Sequence, residues 1–355
     1  MWVFTLRGLF LAVITISAAF SQKSAKDQEE LLLTQRQQTA NRLFTEAMQY
    51  VSSKQYRKAI ERLDSTLFID ASFSKARLNR GWLRIQQNDY TKALEDFETI
   101  LHQDSSNALA WLGKGNIAEK KGNEQEAFQC YEKALKANSL LAEAYKARGK
   151  IFVKNGRWQD AQQDFEAYLS QRPSDVEILN EQAIVAKMLG DTLTALAHWQ
   201  KAIATEGSFA LTFYNRGIFY QETEQHQKAI NDFNTVLLLS PSFARAYWAR
   251  GTSFYKIGEY AKAKEDFVQC LQKGLKTADV YANTAAVKIK LNDFKGAVED
   301  AQKALSFEPN HINALLASGI AKQMLKDDKG ACQDWKKAAS LGSIKAERYV
   351  AEECK

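Results

Sequence analysis

The sequence predicts an all-α solenoid of about nine helix-turn-helix units closed by a carboxy-terminal capping helix. Three observations predict it. Ala59, Ala93, Ala127, Ala161, Ala195, Ala229, Ala263, Ala297 and Ala331 stand 34 residues apart without a slip, and a fixed period of this length marks stacked repeats. Twelve residues earlier a second column, Ala47, Gly81, Gly115, Gly149, Ala183, Gly217, Gly251, Ala285 and Gly319, holds only small residues. Within each period the apolar residues fall at helical spacing in two stretches separated by a turn signal, so each unit reads as a helix pair.

Composition is consistent with one continuous folded body. A chain of 355 residues, 45% hydrophobic and 25% charged, can bury a large core and is too apolar for wholesale disorder. Forty-eight Lys plus Arg against forty-two Asp plus Glu leave +6, with no long single-sign block, which disfavours a nucleic-acid partner. Only three prolines occur, and the 17 glycines recur at intervals instead of clustering, so no flexible linker is expected.

At the amino terminus, Leu9 to Phe20 is an almost unbroken apolar run. It is shorter than the roughly 20 residues a membrane-spanning helix needs. Small Ser17, Ala18 and Ala19 precede polar Ser21, Gln22 and Lys23, so residues 1–21 read as a signal peptide cleaved before Phe20 or before Gln22. An uncleaved signal anchor is the alternative. No cysteine lies near the junction to carry a lipid. The mature chain is therefore expected to be exported and to have no membrane span. Residues 22–39, polar apart from Leu31 to Leu33, read as a leader helix or linker.

Residues 40–345 divide into nine 34-residue units. The two small columns let the paired backbones approach closely. Beside that contact the column Leu63, Phe97, Tyr131, Phe165, Trp199, Phe233, Phe267, Ala301, Trp335 supplies bulk, large against small as a close-packed interior requires. Asn88, Gly122, Gly156, Gly190, Gly258 and Asn292 share the hairpin position, where a left-handed helix terminus favours Gly or Asn. Arg80, Arg148, Arg216 and Arg250 are each followed sixteen residues later by Asp96, Asp164, Asp232 and Asp266, and the first unit reverses the signs with Glu46 and Arg62. Swapped charges at paired columns point to contact between the two helices of a unit, a structural role.

Tyr145, Arg148, Gly149, Phe152, Ala161, Phe165 and Pro173 resemble the tetratricopeptide repeat signature, and Phe213, Arg216, Gly217, Tyr220, Ala229, Phe233 and Pro241 repeat it. The resemblance covers all nine units. Departures are local: Arg77 and Arg84 replace aromatics in the second unit, Ala183 and Thr192 weaken the fifth, and Ala301 thins the eighth. The family resemblance implies a right-handed superhelix whose first helices line a concave groove, and a role in holding other proteins. Cys332, Asp334, Trp335, Lys337, Gly342 and the closing Cys354 resemble a terminal unit common in exported bacterial members, and with the signal peptide this resemblance implies a location in the periplasm or on the cell surface of a bacterium. Residues 346–355 would be the capping helix that covers the last repeat's exposed face. The column of Cys332 faces an apolar neighbour in most units, and for the last unit that neighbour carries Cys354. A disulfide between them is expected, with free thiols as the alternative. Cys130 and Cys270 stand four repeats apart, too far to bridge.

Catalytic patterns dissolve into the repeat lattice. Gly113, Gly115 and Ala118 mimic a dinucleotide motif, but no strand precedes them and Gly115 belongs to the small column. His102, His198, His226 and His311 fall at different phases without metal-ligand spacing. Neither enzyme activity nor a metal or cofactor is expected. Asn79, Asn215 and Asn283 do not complete the two-carboxylate clamp of chaperone-binding members of the family.

Function then falls to the surface. Trp82, Tyr214, Trp248 and Tyr255 are candidate groove residues for a protein or peptide partner, the alternative being packing against neighbouring helices. Lys146, Lys150 and Lys154, four residues apart, share one face of a first helix, with Lys120 and Lys187 expected to enter the groove from adjacent units. An acidic partner segment would relieve their mutual repulsion. The alternative is a solvated lysine face partly neutralised by Glu143, Glu177 and Glu181. The reading is a non-catalytic adaptor of the cell envelope, or alternatively an accessory or structural subunit of an envelope complex.

Overall fold

A computed structural model of the chain describes the backbone of residues 3–354 and the side chains of residues 27–354. The expected signal peptide, residues 1–21, lies outside the residues described with side chains. Nineteen helices and no strand are found among the described residues. They fall into two compact units, Met1–Gln171 and Arg172–Lys355.

The amino-terminal unit holds α1 (Val3–Ser52), α2 (Tyr56–Ile69), α3 (Ser74–Gln86), α4 (Tyr90–Gln103), α5 (Ala108–Lys120), α6 (Glu124–Ala137), α7 (Ala142–Lys154) and α8 (Trp158–Gln171). These are four helix pairs, each packed on the next. The leader expected as a separate element over 22–39 is part of α1, since nothing in its polar sequence breaks a helix before Ala40. The carboxy-terminal unit holds α9 (Val176–Met188), α10 (Thr192–Thr205), α11 (Ala210–Glu222), α12 (His226–Leu239), α13 (Ala244–Lys256) and α14 (Tyr260–Gln272), followed by α15 (Ala278–Lys290), α16 (Phe294–Phe307), α17 (Ile312–Met324), α18 (Asp328–Ser340) and α19 (Ile344–Glu353). They form five pairs and a single closing helix.

Side chains at the helix starts satisfy amides that have no partner within the helix. Asp89, Asn123, Asp191, Asp293 and Asp327, one period or a multiple of it apart, each accept an N–H from three residues on at the start of a second helix. Asn107, Asp175, Thr277 and His311 do so for first helices. Between the helices of a pair the backbone turns left-handed at Asn88, Gly122, Gly156, Gly190, Gly258 and Asn292, as the sequence predicts, and also at Lys54, Glu224 and Lys326.

The small and bulky columns meet face to face. A Cβ on Gly115 would stand 2.4 Å from Tyr131, one on Gly149 2.6 Å from Phe165, and one on Gly217 2.7 Å from Phe233. The aromatic partners are at most 1% exposed throughout the column. In the eighth repeat Ala301 replaces the aromatic, and the space is closed by Ala285, Ala297, Ala317 and Ala321, with Ile289 and Phe294 at the edge.

The last helix begins at Ile344, two residues before the expected 346, because Ser343 Oγ accepts the amide of Ala346 at 3.3 Å. Tyr349 stacks on buried Trp335 with centroids 4.7 Å apart. Cys332 and Cys354 are disulfide-bonded, with Cα atoms 5.6 Å apart. Cys130 and Cys270 are buried and free.

Candidate functional site

The periodic arginines engage within the fold. Arg148 donates to Asp164 through Nε at 2.9 Å and Nη2 at 2.8 Å, and Arg80, Arg216 and Arg250 make the same two-pronged contact with Asp96, Asp232 and Asp266. Hydrogen bonding to the carboxylate raises the Arg148 and Arg216 pKa values against the opposing effect of burial. The guanidiniums of Arg148, Arg216 and Arg250 also each lie between two rings, Tyr145 and Phe152 in the case of Arg148. The second repeat, where Arg77 and Arg84 stand in place of aromatics, gathers all three arginines on Asp96. In the eighth repeat Thr284 occupies the arginine position, and Lys288, one turn later, pairs with Asp300 at 2.6 Å. Lys322 and Asp334 repeat that arrangement at 2.7 Å.

The four candidate aromatics are half-buried and touch the core. In the amino-terminal unit Trp82 meets Phe97 edge-on at 5.6 Å. In the carboxy-terminal unit Tyr214 packs on Phe243 at 4.9 Å and Phe233 at 6.0 Å, and burial pushes its phenol pKa up. Trp248 packs against the Ala263, Phe267 and Val287 cluster with its Nε1 buried and unpartnered, while Tyr255 leans on Tyr260 at 5.5 Å. Each therefore has a packing role on at least one side.

The lysines separate more sharply. Lys146, Lys150 and Lys154 lie on α7, and Lys120 closes α5 with its side chain exposed. Lys146 Nζ sits 5.5 Å from the centre of the Tyr168 ring. Lys154 is paired with Glu124, which also accepts from Asn155 Nδ2 at 2.6 Å. Lys154 first and Asn155 second hold the Glu124 carboxyl below its ordinary pKa. Lys187 belongs to the carboxy-terminal unit, where it pairs with Glu222 at 2.5 Å. Lys154 thus meets Glu124, thirty residues earlier in the chain. Sequence reasoning missed Glu124 because it begins the second helix of the preceding repeat. Its available signal was an acidic first turn facing the basic last turn of α7.

Beside these residues a cleft of about 420 Å³ opens between α6 and α7, with Phe128, Ile151 and Phe152 as its apolar lining and Glu124 and Arg157 among its polar residues. A smaller cleft of about 210 Å³ shares Glu124 and Ile151 and adds Lys150 and Lys154. Elsewhere His311 accepts the Ala314 amide at Nδ1, so its Nε2 carries the proton and donates to Asp279 at 3.0 Å. Among the described residues no group of three or more His, Cys, Asp or Glu is placed to hold a metal, and no helix is long and apolar enough to cross a membrane.

A family model described as tetratricopeptide repeat matches residues 78–142, 146–210 and 214–269. No curated protein matches the chain. Among solved structures, PilF of Pseudomonas aeruginosa is 20% identical over 59% of this chain and 97% of its own, with a TM-score of 0.53. A tetratricopeptide repeat protein from Parabacteroides merdae is 20% identical over 70% and 99%, with a TM-score of 0.51. The C-terminal part of a repeat protein from Cytophaga hutchinsonii is 17% identical over 66% and 97%, at 0.55. These are likenesses of fold.

Proposed function

The chain belongs to the tetratricopeptide repeat family, and from that premise we propose that it is a non-catalytic adaptor that holds an acidic protein segment against the first-helix face of its repeats. The observation that supports the acidic partner is the α7 face. Lys146, Lys150 and Lys154 follow one another at helical spacing, and Lys150 and Lys154 line a cleft of about 210 Å³. The proposed site comprises these residues with Lys120 and Trp82; in the carboxy-terminal unit Lys187, Tyr214, Trp248 and Tyr255 form the corresponding candidate set. Export to a bacterial periplasm or cell surface belongs to the same proposal. It is supported by the apolar run Leu9 to Phe20 and by the Cys332 to Cys354 disulfide, a bond that persists in oxidising compartments.

The test is charge reversal. Lys146→Glu with Lys150→Glu should shift stability by no more than about 1 kcal/mol, two partly exposed substitutions at roughly 0.5 kcal/mol each. Partners crosslinked in cells and recovered at low salt should be lost from the double variant, and the wild-type yield should fall as salt rises. The same partners recovered in the same amounts by both proteins would remove the lysine face from the account.

A further inference from the structure

The cleft between α6 and α7 combines two features that a purely electrostatic lysine face does not need. Its floor is apolar: Phe128 and Phe152 meet edge to face at 5.5 Å and 70°, with Ile151 beside them. Its volume, about 420 Å³, falls in the roughly 300–1,000 Å³ span of ligand-binding clefts. Its rim is charged. Arg157 lies over the Phe152 ring at 4.3 Å, and Asp160, reached by Nε at 2.8 Å, is its guanidinium's one hydrogen-bond partner among the described residues. Across the shared residues Glu124 and Ile151, the smaller cleft brings in Lys150 and Lys154. Glu124, the acid between the two clefts, is already engaged by Lys154 and Asn155.

We infer that this cleft is the anchor pocket for the partner: one aromatic side chain of an acidic segment seats on Phe128, Ile151 and Phe152, and carboxylates flanking it pair with Arg157 on one side and the Lys150 and Lys154 edge on the other. The inference rests on the proposal that the partner is acidic and adds the residue that fixes where it binds. Charge complementarity selects the flanks. The edge-to-face ring pair selects an aromatic anchor, which adds a further tilted ring contact and brings large contact area at low entropy cost.

Two fluorescein-labelled peptides test it by anisotropy, Asp-Asp-Phe-Asp-Asp and Asp-Asp-Ala-Asp-Asp, against the full chain. The Phe peptide should bind about tenfold more tightly, as a buried aromatic anchor requires. Gln125→Trp, which fills the cleft from an exposed lining position, should bring that ratio to about one with the melting temperature unchanged, and Arg157→Gln should weaken both peptides. Equal binding of the two peptides by the wild type overturns the pocket. It leaves the acidic-partner proposal standing if Lys146→Glu with Lys150→Glu abolishes both. Failure of both peptides to bind at low salt overturns the two together, and a Phe preference that survives Gln125→Trp places the anchor elsewhere. Benzoylphenylalanine at the central peptide position gives a readout that needs no variant. Crosslinks within residues 125–157 support the pocket, and crosslinks confined to other segments overturn it.

Discussion

At each hairpin one residue adopts a left-handed backbone, and Lys54, Glu224 and Lys326 do so, at φ 58°, 59° and 68°, without the freedom of glycine. A side chain there costs about 1 kcal/mol. Glu224→Gly and Lys326→Gly are therefore expected to raise stability by about 0.5–1 kcal/mol each in urea titrations, after allowance for glycine's looser unfolded state. The reverse holds at Gly115, where a methyl group would meet the Tyr131 ring: Gly115→Ala should cost about 1–3 kcal/mol. The periodic sequence made the hairpin position legible wherever it holds Gly or Asn. It was silent at Lys and Glu, whose identity reports nothing about backbone conformation. The free thiols behave as core residues. Burial pushes Cys130 up, and Cys270 up to about 11 from 9.0, so the fold favours the neutral thiol. The resulting stabilisation is complete below about pH 9 and is lost as pH rises towards about 11. At neutral pH neither thiol should take up maleimide in the native protein, and both should label in denaturant.

Among the helices, the arginine that ties a first helix to its own second helix also reaches backwards. Arg80 Nη1 meets Asp64 at 2.6 Å, Arg250 Nη1 meets Asn234 at 2.7 Å, and Lys114, in the arginine position, meets Glu98 at 2.9 Å, each sixteen residues earlier. One side chain thus sets both the hairpin angle and the stacking on the preceding repeat. Asp164→Ala would leave the largely buried Arg148 charge without its two-pronged partner, with only the weaker attraction of Glu132, and is expected to cost about 3 kcal/mol by chemical denaturation. Adding Arg148→Leu should recover part of that loss, because the aromatic walls accept an apolar side chain. The forward pairing was legible because Arg and Asp recur at fixed columns. The backward one was not, since its column mixes Asp, Glu and Asn, and the move to Lys288 and Lys322 shifts the cation by a full turn.

For the chain as a whole, the periodic positions announce nine helix pairs and a cap, and the structure contains them. What periodicity could not disclose lies in residues that differ between repeats. The division at Gln171 has no composition shift to mark it. The α6 and α7 cleft depends on Phe128 and Arg157, which have counterparts such as Gln162 and Asp191 one period on. The first helices could be assigned a surface from phase alone, whereas which lysine meets which acid required three dimensions. At the carboxy terminus, reducing the disulfide should speed hydrogen exchange over residues 344–353, since the closing helix is otherwise held mainly by Ala346 and the stack of Tyr349 on Trp335. The same bond has a mechanical consequence. When the chain is pulled by its two ends, force passes through the sulfurs from Cys332 to Cys354 and the 22-residue span between them bears no tension. A fully stretched oxidised molecule should be shorter than a reduced one by roughly 65–75 Å of contour length, at about 3.3–3.6 Å per residue less the 5.6 Å that the bonded pair still spans. Force-extension traces taken before and after addition of a dithiol would read that difference directly.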